Sequence, residues 1–246
     1  MKLNEKGMII GMYFAKFEEL ALSELGFMNF NEAFNVIGLL TNIKSASLRN
    51  YRDEFSPAFP TRRQGWHKRE MHSSRKEILL KFNCLDFNGF TNLVKNIFYE
   101  NDTENQFIDD FEIQLENISL AKRLLTGQAS ENYFLENYYN IDFFNRGNIT
   151  DTTKYGCGFD FKISFPDNSF YAIEVKGLNT KSGNILLTDK EYKVAEKLQN
   201  NYFIFIVRNF IEKPEHLIYR NPLGNNEINL KRQEQSIIQI SYNFLI

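Results

Sequence analysis

From Phe159 onward the chain adopts a period of two. Phe159, Phe161, Ile163 and Phe165 alternate with Asp160, Lys162 and Ser164, and Tyr171, Ile173 and Val175 alternate again after a break. Strand side chains swap faces at each residue, so each run predicts a half-buried β-strand. Pro166-Asp167-Asn168 between them is turn chemistry. A three-residue hairpin loop pairs Phe165 with Ser169. Stepping back along both strands then sets Asp160 opposite Glu174, with Cβ atoms roughly 4.5–5.5 Å apart. Lys176 lies one step further along the face that carries Glu174.

Two like charges directly opposite each other destabilise a sheet. A divalent cation between them reverses that effect. Mg²⁺ takes carboxylate oxygens and keeps several waters, which leaves room for a phosphate oxygen. It stabilises charge on a phosphoryl group and lowers the pKa of a bound water. The Lys176 ammonium, a compact point charge, suits orienting that water or neutralising the transition state. A hairpin shifted by two residues gives a different outcome. Asp160 then faces Lys176 and Lys162 faces Glu174, as two surface salt bridges of little worth.

The flanking segments extend the pattern. Residues 117–126 and 130–139 predict two helices, the second begun by Ser130 with Glu131 in its first turn. Residues 184–187 predict a short strand, Thr188 and Glu191 a capping box at a helix start, and residues 202–207 a buried strand. The order is helix, strand, strand, strand, helix, strand.

These residues together resemble the PD-(D/E)xK nuclease superfamily. More closely, residues 127–210 resemble the NO VEIN C-terminal domain family, known from bacterial restriction systems. The resemblance is carried by Gly127 and Glu131, Gly158-Phe159-Asp160, Ile173-Glu174-Val175-Lys176-Gly177, Leu187-Thr188 with Glu191, and the run Tyr202 to Val207. It implies an α/β (α+β) fold with a restriction-endonuclease-like αβββαβ core. It implies Asp160 and Glu174 as metal ligands, the Val175 carbonyl as a further ligand, and Lys176 as the catalytic lysine. Mg²⁺ is the implied cofactor, with Mn²⁺ as a substitute. Glu131 resembles the acidic ligand that some superfamily members carry on the preceding helix. It is equally an acidic residue well placed in a helix's first turn. Gly158-Phe159 stands before Asp160 where the superfamily's proline would be.

The N-terminal half offers DNA-reading elements. Residues 12–25 predict a helix stopped by Gly26, Asn31 caps a helix over 32–40, and Ser45 caps another over 46–55, stopped by Pro57. The last two, joined by residues 41–44, resemble a helix-turn-helix. Lys44, Ser45, Ser47, Arg49, Asn50 and Arg52 carry groups that can contact phosphates or base edges. An ordinary amphipathic helix with solvated charges fits the same residues. Residues 56–76 read as a loop, in which Arg62, Arg63, Gln64, Trp66, Lys68, Arg69 and Arg75 suit a phosphate-tracking segment. Residues 86–99 predict a further helix. Residues 100–116 hold seven acidic and no basic residues, a linker between a helical DNA-recognition region (1–105) and a nuclease domain (106–246).

The bulk composition bounds the rest. Net charge is +4 over residues 1–99 and −6 over residues 100–246, which places any basic face in the first half. Cys84 and Cys157 form no CxxC pair, and His67 and His72 have no cysteine partner, so neither a zinc site nor a disulfide scaffold is expected. A reducing cytoplasm follows, and no apolar run is long enough for a membrane span. The expectation is a Mg²⁺-dependent, site-specific endonuclease for double-stranded DNA, of the type II restriction kind. It would act as a homodimer with a cognate DNA methyltransferase as functional partner. No P-loop motif points to a motor-driven complex. Two alternatives stand beside it: a repair or defence nuclease that reads structure or modification, and a non-catalytic DNA-binding regulator.

Overall fold

A computed structural model describes residues 1–60, 70–99 and 118–224. Arg62, Arg63, Gln64, Trp66, Lys68 and Arg69, the acidic linker and the domain boundary at 105 lie outside the described residues. Among those described, the protein is a mixed α+β structure of seven α-helices and one five-stranded sheet. No described helix is long and apolar enough to cross a membrane.

The N-terminal half is helical. α1 (Leu3–Glu24) begins well before the expected residue 12, because Gly7 to Ala15 are all buried. α2 (Phe30–Thr41) is capped by Asn29, not Asn31: the Asn29 side chain accepts from Glu32 N at 2.9 Å. Asn31 instead accepts from Arg49. α3 (Ser45–Phe55) starts at Ser45 itself, and Lys44 at the cap position makes no side-chain bond. Past Phe55 the chain tightens into a 3₁₀ turn carrying Pro57. α3 lies against α1, and Gly11 permits the contact: a Cβ there would come 2.5 Å from the Tyr51 Cβ.

α4 (Ser73–Phe82) takes up what the sequence suggests is the end of a loop, with His72 accepting from Ser74 N at its start. α5 (Phe87–Tyr99) follows as expected. α6 (Ile118–Asn137) is one helix where two are expected. Ser130 does not cap a helix, because its hydroxyl donates back to Thr126 O at 2.7 Å inside a continuous one. Glu131 therefore sits mid-helix.

The sheet is built from β1 (Asn148–Asp151), β2 (Phe161–Ser164), β3 (Phe170–Gly177), β4 (Tyr202–Arg208) and β5 (Glu215–Arg220), in that spatial order. β3 and β4 run parallel and the other pairs antiparallel. α7 (Asp189–Leu198) connects β3 to β4. Residues 184–187 form no strand. Ile185 and Leu187 instead pack as loop residues against the cluster of Ala172, Tyr202, Ile204 and Ile206. The αβββαβ order is met by β1, which precedes the hairpin, and β5 adds a fifth strand.

Both faces of the sheet are covered. Phe134 of α6 packs on Phe161 and Phe205 on one face, and Ala195 of α7 joins Ala172 and Ile204 on the other. The first core is continuous with the helical half, running from Met8 of α1 to Phe210 past β4. Asn35 donates to Phe210 O, Asn132 to Leu39 O, and Lys122 pairs with the fully buried Glu32, tying α2 to the C-terminal half.

Candidate active site

The hairpin between β2 and β3 fixes the site. Phe165 N donates to Ser169 O at 2.9 Å across the three-residue loop, where Asn168 adopts φ +64°. Phe161 pairs with Ile173 and Lys162 with Ala172. The same register places Asp160, one residue before β2, opposite Glu174. The shifted pairing of Lys162 with Glu174 does not occur.

Residues 152–160 are wired to present Asp160. Thr152 N donates to Asp160 O at 2.8 Å, and the Thr152 hydroxyl donates to Phe159 O. The Tyr202 hydroxyl from β4 donates to Gly158 O at 3.1 Å. Gly158 has φ +90°, and a Cβ there would lie 2.8 Å from a Val194 methyl of α7. This explains Gly158-Phe159 before Asp160: only glycine takes this backbone beneath α7. Asp160 N donates to Ile173 O, and Asp160 Oδ2 then accepts from Val175 N at 2.8 Å.

Glu174 and Lys176 share the sheet face that α7 covers. Glu174 is 3% exposed. Lys176 Nζ lies 2.5 Å from Glu174 Oε1 and 2.7 Å from Glu191 Oε2. Glu191 also forms the predicted capping box, since its Oε2 accepts from Thr188 N and its own N–H donates to Thr188 Oγ1. Sequence reasoning assigned Glu191 to the helix start alone. The T-x-x-E spacing shows the cap but cannot show that the carboxylate also meets a lysine from β3.

The electrostatics follow from burial. Burial pushes the Asp160 carboxyl up, against the Val175 N–H and the Lys176 charge. Burial and the neighbouring Asp160 charge push Glu174 up to about 8, against Lys176. Burial pulls on the Lys176 ammonium, but Glu174 and Glu191 hold it above its ordinary value. The three groups titrate as one set.

The donor set suits a hard cation. Among the described residues no group of three or more His, Cys, Asp or Glu is gathered as a metal cluster. The available donors are the two carboxylates Asp160 and Glu174, with the Val175 peptide beside Asp160. Mg²⁺ is commonly held by one or two carboxylates plus waters, and a cation there would offset the burial that raises both carboxyls and the Asp160 charge that further raises Glu174. Glu131 is on α6, which covers the opposite sheet face. The charges that act on Asp160, Glu174 and Lys176 include one another, Glu191 and Asp151.

The N-terminal candidates separate. Lys44, Arg49 and Asn50 are exposed and Ser45 and Ser47 half-buried on α3. Arg52 is buried: its guanidinium lies 4.7 Å from the Phe30 ring centroid and 5.1 Å from that of Phe34, and pairs with Asp53. That position holds it in the helical core. Arg75 pairs with Glu54 at 2.6 Å and covers the Tyr51 ring, so it fastens α4 to α3.

Residues 130–219 match the model of a family described as Protein NO VEIN, C-terminal. The matched segment runs from Ser130 of α6 to Tyr219 of β5 and contains the hairpin, Lys176 and Glu191. It is less than half of the chain, and the helical layer lies outside it. No curated protein and no solved structure matches the chain.

Proposed function

We propose that the protein is a Mg²⁺-dependent endonuclease for duplex DNA, of the type II restriction kind. The observation that carries this reading is the convergence of Asp160, Glu174 and Lys176 at one end of the β2–β3 hairpin. A buried carboxylate, Glu174, and a half-buried one, Asp160, face each other and an ammonium lies against the first.

Asp160 and Glu174 would hold the cation, with the Val175 carbonyl as a further donor. When bound, the cation supplies Lewis acidity toward a phosphoryl oxygen and toward water. Asp160 is held in place by the Val175 N–H, so it needs no reorganisation to act as a ligand. Lys176 remains charged between its carboxylates and presents that charge to a phosphate at the end of β3. The exposed face of α3, with Lys44, Arg49 and Asn50 beside the half-buried Ser47, is the reading surface in this account, and basic side chains there meet phosphates first. Cutting both strands calls for two copies related by a twofold axis.

The test is digestion of varied plasmid DNA with Mg²⁺, followed by sequencing of the fragment ends. The expected result is a discrete set of ends sharing one sequence context, lost on chelation and in Lys176→Ala. Binding of DNA without discrete fragments, or cleavage unchanged in Lys176→Ala, overturns the reading.

A further inference from the structure

Lys176 has two carboxylate partners, and only one of them stands opposite Asp160. Glu174 faces Asp160 across the hairpin, so a cation between those two draws on the charge that Lys176 now shares. A lysine has a flexible four-carbon stem and gives up a position easily once its partner is taken. Glu191 is placed differently. It comes from the first turn of α7, and its Oε2 is fixed by Thr188 N at 3.0 Å while it also meets Lys176 Nζ at 2.7 Å.

Capping does not require that charge. Glutamine serves the third position of a capping box as well as glutamate. A partly buried carboxylate, its side chain 15% exposed and aimed at an ammonium from another element, exceeds what the helix start needs. We infer that Glu191 is the positioning residue for Lys176: it retains the ammonium at the end of β3 when Glu174 turns to a divalent cation. The assignment rests on the nuclease reading for its consequence in catalysis. The retention of Lys176 is a property of the chain itself.

Glu191→Gln separates the two roles, because it keeps the cap and removes the charge. The full chain and this variant are treated with formaldehyde and dimethylamine-borane in saturating Mg²⁺, and dimethylation of Lys176 is followed by mass spectrometry. The wild-type lysine stays protected, whereas in the variant it reacts about tenfold faster, the scale of one charge-assisted hydrogen bond. The melting temperature falls by only about 2–4 °C, so the variant is folded under the labelling conditions. In single-turnover cleavage of a plasmid, the variant's rate constant falls about tenfold with KM for DNA unchanged. Equal labelling of Lys176 in the two proteins overturns the assignment, as does unchanged cleavage. A wild-type chain that cuts no DNA ends the nuclease reading, while the labelling comparison still decides the role of Glu191.

Discussion

The Asp160 carboxylate accepts the Val175 N–H at 2.8 Å, at the point where pairing between β2 and β3 gives way to the loop before it. One oxygen of the proposed metal ligand thus completes the sheet. Asp160→Asn keeps an acceptor for that N–H, so it should retain the fold and lose cleavage. Asp160→Ala leaves the N–H without a partner and should cost about 1–3 kcal/mol. Denaturant melts of the two variants check the difference. Equal stability in both would show that the bond contributes nothing to the fold.

Glu174 sets a pH dependence of stability in metal-free protein. Its folded pKa, about 8, stands above the ordinary 4.5. The folded state therefore binds more protons than the unfolded state between these values, and stability falls as pH rises through that window. Melting temperatures between pH 5 and pH 8 should decline in the wild type. They should flatten in Glu174→Gln, which titrates nothing there. Saturating Mg²⁺ should also flatten the decline if it binds these carboxylates.

Lys122 neutralises Glu32 at the join between α2 and α6. Glu32 is fully buried, with Lys122 Nζ 2.8 Å from its Oε1. That oxygen makes no hydrogen bond of good geometry, so the contact is ionic. Lys122→Ala strands the carboxylate and should cost about 3 kcal/mol. In a double-mutant cycle with Glu32→Gln, the paired substitution should recover part of that loss. A fully additive cycle would rule out the coupling.

Gln199 ends α7 with φ 48° and ψ −113°, a conformation that side chains disfavour. Glycine adopts it freely. Gln199→Gly should raise stability by about 1 kcal/mol, despite the greater freedom glycine gives the unfolded chain. The midpoint of urea unfolding measures this, and a lower midpoint in the variant would contradict it.

The hairpin register was legible because two independent signals agreed. The two-residue period set the faces, and Pro166-Asp167-Asn168 pointed to a three-residue loop, leaving a pairing shifted by two residues as the alternative that the observed register excludes. The helix of residues 118–137 was not legible, because Gly127 and Ser130 look like a stop and a start. In the fold, the Ser130 hydroxyl is satisfied inside the helix. β1 escaped notice as four residues with one half-buried side chain, Ile149, too little to carry a period. Ile185 and Leu187 misled in the opposite direction, since apolar residues covering a core need not form a strand. The Asp160, Glu174 and Lys176 positions followed from local pattern. The burial of Glu174 beneath α7 and of Arg52 against Phe30 and Phe34 depends on segments distant in sequence, which no local pattern records.

Among the described residues, one continuous core runs from Met8 to Phe210, and both α3, through Leu48 and Phe55, and β3, through Ile173 and Val175, are anchored in it. The two are fixed to one stiff frame. In a protein that reads with one and cuts with the other, the number of base pairs between recognised bases and broken bond is a property of the scaffold.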